Sequence, residues 1–227
     1  NCIDGNCDPY DRVGGVKVRN YRGEWMELFR YTTPFGVECE DNVDVTDFSS
    51  VLQGLVEFEL YFESWDGSGY EPTLTFEMTK GTPDYAYTNV DEIWFDIYPF
   101  GDYANQQPVP EIDYIFTENT EAAKLKLVTS GHNWSSGSNN TNNTGNAAEF
   151  YEATHNIKVN GTKVFDQHLW RQCNPNPAGC QPQNGTWTYH RSGWCPGSIA
   201  MVWDFDLTDY VKDGNAVLFY QFDPSYL

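Results

Sequence analysis

Val56-Glu57-Phe58-Glu59-Leu60-Tyr61-Phe62 changes character at every step, and this alternation decides the fold class. With a side-chain period of two, Val56, Phe58, Leu60 and Phe62 fall on one face of a strand. Glu57, Glu59, Tyr61, Glu63 and Trp65 fall on the other. The same habit recurs on both sides. Val16-Lys17-Val18-Arg19 and Trp25-Met26-Glu27-Leu28-Phe29 flank a turn at Asn20 to Gly23 and predict a hairpin. Residues 73–78 and 92–98 predict further strands. Beyond a Pro/Gly break at residues 99–110, Leu125 and Leu127 alternate with lysines. Asn160-Gly161 then joins 156–159 to 162–165, the strongest short hairpin signal. Residues 199–205 and 216–222 complete the strand pattern.

Two stretches echo one another. Val45-Thr46-Asp47-Phe48 leads to Gly54 and then an alternating strand, and Leu207-Thr208-Asp209-Tyr210 leads to Gly214 and another. Each has the polar start and glycine stop of a short helix. The repeated unit predicts two domains of one topology, 1–100 and 101–227, each an antiparallel jelly-roll β-sandwich in an all-β chain. The composition agrees: 15 Tyr, 14 Phe and 8 Trp suit strands rather than helices. Ser135 to Asn146 carries almost no apolar side chain and reads as a long loop.

A net charge of -20 repels phosphate backbones and anionic lipid, which argues against nucleic-acid binding. No apolar run approaches the ~20 residues of a transmembrane helix, so no membrane insertion is expected. Cys2, Cys7, Cys39, Cys173, Cys180 and Cys195 suit an oxidising compartment, and spacing alone leaves 15 pairings open. The expected location is secreted, periplasmic or cell surface. Asn133, Asn139, Asn142, Asn160 and Asn184 each open an Asn-X-Ser/Thr sequon. No CxxC occurs and the histidines are scattered without HxH or an i, i+4 pair, which argues against zinc; no cofactor is expected.

The carboxylates set the functional question. Cys2 and Cys7 can close a small loop directly before Tyr10-Asp11-Arg12. That arrangement reads either as a surface ion pair or as a catalytic acid or base beside a guanidinium. Glu63 ends a strand next to Tyr61 and Trp65. Glu149 enters an apolar run between Ala148 and Phe150, and Arg191 lies near Trp194 and Cys195. Gathered in one cleft, these groups suit general acid/base chemistry on sugars or amides.

The ordered motifs carry a resemblance. Cys2-x4-Cys7-Asp8-x-Tyr10-Asp11-Arg12, Thr32-Thr33-Pro34, Asp44 to Phe48, Glu63-Ser64-Trp65 and Gly81 to Tyr85 resemble the bacterial peptide-N-glycosidase F family. Ser130-Gly131, Ala148-Glu149-Phe150, Thr154 to Ile157 and Arg191 to Gly197 continue the match in family order. The resemblance implies two jelly rolls with the site in the cleft between them. It implies metal-independent hydrolysis of the amide joining GlcNAc to asparagine in N-glycoproteins or glycopeptides. Asp11, Glu149 and Glu63 fall on the family's catalytic carboxylates. Arg12, Arg191, Trp65 and Trp194, with Tyr10 and His132 beside them, fall on its substrate-binding side. It also implies Cys2–Cys7 and Cys173–Cys195 disulfides. Cys39 and Cys180 have no counterpart; they pair across the two domains or remain thiols. Ala147 and Tyr151 replace two family cysteines, and His132-Asn133-Trp134 replaces Trp-Gly-His. The strand count falls short of eight in each half, so a partner chain or a separate segment is expected to complete the sheets. The competing reading is a non-catalytic glycan-binding or structural module on the same scaffold.

Overall fold

The computed structural model of the chain describes residues 1–64, 67–99, 105–133 and 148–224. Among these, the strands run in chain order as β1 (Val13–Arg19), β2 (Trp25–Thr32), β3 (Phe58–Phe62), β4 (Ile112–Ile115), β5 (Lys124–Leu127), β6 (Ala153–Val159), β7 (Thr162–Leu169), β8 (Ser198–Ile199), β9 (Trp203–Asp206) and β10 (Asn215–Gln221). Every pairing between them is antiparallel. The all-β expectation holds.

The chain forms two compact units that are not contiguous in sequence. Unit 1 takes Asn1–Glu92, Cys173–Thr188 and Cys195–Ala200; unit 2 takes Ile93–Gln172, Tyr189–Trp194 and Met201–Leu227. Where the sequence suggested one boundary at residue 100, the chain first crosses after Glu92 and returns to unit 1 twice.

Unit 1 is a sheet of order β3-β1-β2-β8. The predicted β1–β2 hairpin forms, turning on Asn20, whose Oδ1 accepts the Arg22 and Glu24 amides at 2.9 and 3.0 Å. Val16, Val18, Met26 and Leu28 form one buried face, with Phe48 packed on it. β3 pairs with β1 so that Val18 faces Phe58 and Val16 faces Leu60. Val56 and Phe58 pack against this face, whereas Leu60 stays 39 % exposed and Glu59 and Tyr61 are half-buried, so the alternation holds only over the first part of 56–62.

Unit 2 repeats this three-strand pattern. β6 and β7 form the Asn160-Gly161 hairpin, both turn residues lying at positive φ (52° and 77°). These values match the two-residue turn that suits strand twist. β10 adds to β6 with Leu218 opposite Val159 and Tyr220 opposite Ile157. Both first strands carry a register shift, at Val16/Lys17 and at Ile157/Lys158. β4 extends the sheet beyond β10, while β5 and β9 form a separate pair. The two echoed segments form short helices, Thr46–Phe48 and Thr208–Val211. Asp44 Oδ1 accepts the Thr46 amide at 2.8 Å, and Asp206 Oδ1 accepts that of Thr208 at 2.9 Å.

Three strand expectations need correction. Residues 73–78 form no ladder. Their alternation still sends Leu74 and Phe76 against the unit 1 core, and Phe76 stacks on Phe58 at 5.0 Å. Residues 92–98 likewise form no strand. The run 199–205 is divided: Ile199 pairs with Tyr31, Ala200 donates to Arg30, and Trp203 pairs with Leu127. Apolar alternation selects a buried face, but a strand also needs a partner backbone in register.

Candidate active site

The first cluster grows from the stapled N-terminal loop. Cys2 and Cys7 are disulfide-bonded, and Cys2 forms a bridge to Tyr70. Asp8, next in the chain, is wholly buried. Its Oδ1 accepts the Tyr10 amide at 2.9 Å, and its Oδ2 accepts Arg12 Nε–H at 2.7 Å. Arg12 is fixed further by a reciprocal contact: its amide donates to Thr33 Oγ1 and its carbonyl accepts the Thr33 amide, each at 2.8 Å. The guanidinium also lies over the exposed Tyr10 ring, 5.2 Å from its centroid. Sequence adjacency had suggested only Asp11 as the partner of Arg12; the structure adds Asp8, four residues back.

Asp11 is half-buried immediately before β1. Glu63 follows β3, and its amide donates to the Val13 carbonyl at 3.1 Å. The start of β1 and the end of β3 thus bring Asp11, Arg12 and exposed Glu63 to one end of the unit 1 sheet. Tyr70 borders this group, donating to the Pro34 carbonyl at 2.6 Å and the Asp8 carbonyl at 3.3 Å. Burial pushes its phenol up to about 12; Asp8 and Asp11 add to the rise, against a Thr33 hydrogen bond and the Arg12 charge. Trp65 lies outside the described residues.

The second cluster belongs to unit 2. Glu149 sits on a single helical turn, Ala148–Phe150, and accepts Arg191 Nε–H at 2.9 Å. Arg191 also donates to the Tyr189 carbonyl at 2.7 Å and lies over the rings of Trp194 and Phe150, 4.9 and 5.2 Å away. The main chain locks the same groups: the Ser192 amide donates to the Glu149 carbonyl at 2.9 Å, and Ser192 Oγ to that of Tyr151 at 2.5 Å. A Cβ at Gly131 would collide with the backbone of Ala148 and with Ser192, so only glycine lets these three segments meet.

Trp194 is only 2 % exposed, and its indole N–H donates to the Gly131 carbonyl at 2.6 Å. The resemblance implies that it lines substrate; in the structure its ring is buried and the Arg191 guanidinium lies over it. His132 stacks on it at 4.8 Å, with Nε2 2.9 Å from Ser130 Oγ.

The two pairs are inverted in burial. The Asp8 side chain is 0 % exposed and that of Arg12 10 %. The Arg191 side chain is 0 % exposed and that of Glu149 13 %. Unit 1 therefore presents a guanidinium held by a buried carboxylate, and unit 2 a carboxylate held by a buried guanidinium. Bonding of this kind fixes the direction of the more accessible partner. Asp8 and Tyr70 escaped the sequence reading; the usable signal was the i, i+4 spacing of Asp8 and Arg12 inside the stapled loop.

The Cys173–Cys195 disulfide forms, and Cys39 bonds Cys180 inside unit 1 rather than across the two units. Among the described residues no cluster of three His, Cys, Asp or Glu is placed to hold a metal. No helix among them is long and apolar enough to cross a membrane. Of the sequons, Asn133, Asn160 and Asn184 are exposed; Asn139 and Asn142 lie outside the described residues, as do Trp134 and Ala147.

Residues 100–224 match the family model described as Peptide-N-glycosidase F, C terminal. The chain is 34 % identical over 209 residues to peptide-N(4)-(N-acetyl-beta-D-glucosaminyl)asparagine amidase F of Elizabethkingia miricola. That alignment covers 86 % of this chain and 58 % of the relative, so the chain spans less than two thirds of the relative's length. A 2.2 Å crystal structure of peptide-N(4)-(N-acetyl-beta-D-glucosaminyl)asparagine amidase superposes with a TM-score of 0.76 at 29 % identity, covering 96 % of this chain and 73 % of that one. The structure of PNGase F from Flavobacterium meningosepticum, described as a glycosylasparaginase, gives 0.75 at 28 % identity, covering 96 % and 72 %.

Proposed function

Because this chain belongs to the peptide-N-glycosidase F family, we propose that it is a glycoamidase that releases N-linked glycans by hydrolysing the GlcNAc–asparagine amide. The observation that carries the reading is the inverted set of pairs: a guanidinium and a carboxylate, each partly open and each locked by a buried opposite charge.

In this reading Asp11 is the central acid/base, Glu149 positions the attacking water and Glu63 holds the sugar. Water adds to the amide carbon, and Arg12 and Arg191 offset the negative charge that develops on its oxygen. The carbon–nitrogen bond then breaks, and the departing glycosylamine nitrogen takes up a proton. The asparagine is left as aspartate. Tyr10, His132 and Trp65 are assigned to the sugar, with Trp194 supporting Arg191 from below. The three disulfides suit an oxidising environment and support a secreted, periplasmic or cell-surface location in this reading.

The test is incubation with a denatured N-glycoprotein, reading asparagine-to-aspartate conversion by mass spectrometry. The intact chain is expected to release glycan, and Asp11→Asn to lower the rate by ~100-fold or more. Silence from the intact chain on several glycan types would refute the enzyme. Glycopeptide binding without release would instead identify a glycan-binding module.

A further inference from the structure

Asp8 lies outside the set of catalytic carboxylates assigned above, yet it is the most deeply placed charge of the N-terminal loop. It immediately follows the Cys2–Cys7 disulfide, and its carbonyl accepts the Gly36 amide at 2.9 Å as well as the Tyr70 hydroxyl. Its backbone is thereby tied to two other segments of unit 1. Both carboxylate oxygens are engaged by the chain immediately downstream, Oδ1 by the Tyr10 amide and Oδ2 by Arg12 Nε–H. Replacing a buried ion pair by an apolar pair of equal volume is often neutral or stabilising, so stability alone does not account for a sealed Asp8 paired with Arg12. Its geometry does fix a direction. An acceptor on Nε pins the plane of a guanidinium, and the Tyr10 ring and the Thr33 contacts limit its remaining freedom.

We infer that Asp8 is a positioning residue that sets the orientation of the Arg12 guanidinium for amide hydrolysis. The inference rests on the assignment of Arg12 to the reaction made above. Asp8 touches no reacting atom; it acts through Arg12, keeping the cation aimed before substrate arrives, so that no reorientation is needed as charge develops.

The test combines a structural and a kinetic readout on the full chain. In nitrogen-15 spectra, Arg12→Lys identifies the Arg12 Nε–H signal. In the unaltered chain that proton is expected to exchange with solvent ~10-fold more slowly than those of the exposed Arg19 and Arg22 side chains. Asp8→Asn keeps the shape, removes the charge and leaves one acceptor oxygen where the Tyr10 amide and Arg12 Nε–H engage two; it is expected to remove most of this protection and to lower kcat for glycopeptide by ~100-fold with little change in KM. The double variant Asp8→Asn/Arg12→Lys is expected to be no slower than Arg12→Lys alone, because both changes remove one device. If Asp8→Asn does not fold by near-ultraviolet circular dichroism, Asp8→Glu supplies the same cycle with the charge displaced by one methylene. Fully additive losses overturn the inference, as does unchanged kcat once protection is gone. Protection that depends on Asp8 in a chain that releases no glycan marks a failure of the glycoamidase reading itself, and with it of any catalytic purpose for Asp8. Loss of release with Arg12 protection intact refutes Asp8 alone and leaves the glycoamidase reading standing.

Discussion

Asp8–Arg12 and Glu149–Arg191 are both carboxylate–guanidinium pairs with the bond at Nε, yet they bury opposite members. In unit 1 the anion is fully buried and the cation 10 % exposed; in unit 2 the cation is fully buried and the anion 13 % exposed. Each unit thus spends a buried charge to hold a more accessible one of opposite sign. The residues assigned to chemistry, Arg12 and Glu149, are also the hydrogen-bonded counter-ions of the two fully buried charges.

The largest expected effect follows from this. Arg12→Ala removes the cation bonded to buried Asp8, and Glu149→Ala removes the carboxylate bonded to buried Arg191. Each is expected to lower unfolding stability by ~3–5 kcal/mol, read from urea denaturation at pH 7. Asp8→Ala is expected to cost less than Arg12→Ala, because Arg12 can reach water. Glu149→Gln is expected to cost ~1 kcal/mol, since the amide oxygen still accepts from Arg191. Equal costs within the unit 1 pair would break the inversion argument. Activity comparisons at Glu149 should therefore use glutamine, so that lost chemistry is not confused with lost fold.

A second contrast separates the two sheets. Opposite Phe62, β1 has Gly14; at the matching place in unit 2, β6 carries His155, tilted against Phe222 at 5.0 Å. Its Nδ1 accepts the Asp223 amide at 2.9 Å. Burial pulls the His155 pKa down to about 4, with Asp223 pulling weakly upward. The unfolded chain titrates this group near pH ~6.5 and so binds more protons between the two values. Stability contributed by neutral His155 is complete above about pH 6.5 and falls by ~3 kcal/mol as pH drops toward 4. His155→Gln is expected to flatten this slope in urea midpoints measured across that range, and an unchanged slope would refute the assignment. The smallest effect belongs to the hairpin turns. Gly161→Ala adds no clash but strains a residue at φ 77°, and is expected to lower stability by ~1 kcal/mol in thermal melts.

What could be read from sequence was what short-range chemistry decides. Asn160-Gly161 fixes its turn through the backbone freedom of two residues, and the Thr46 and Thr208 turns through an aspartate two positions earlier. Residues 73–78 and 92–98 misled because alternation reports which side chains are buried, not whether a neighbouring backbone is in register. The run at 199–205 misled more sharply, changing partner between Ala200 and Trp203. Of the residues proposed for the site, Asp11, Glu63, Glu149 and Arg191 stood out through motif order. Asp8 did not: its importance lies in complete burial beside Arg12, and an exposed aspartate would occupy the same letter in the sequence. The burial of Trp194 under Arg191 was hidden for the same reason, since exposure and burial of an indole leave no mark on local composition.

The return of residues 173–188 and 195–200 to unit 1 has a practical consequence for anyone dividing the gene. A fragment ending at Glu92 would lack β8, and Cys39 would be left as a thiol without Cys180. The complementary fragment would carry Cys180 equally unmatched. Produced separately in an oxidising compartment, the halves are poised to cross-link to one another or to themselves, so a workable dissection has to be a reassembly of two fragments rather than the expression of one.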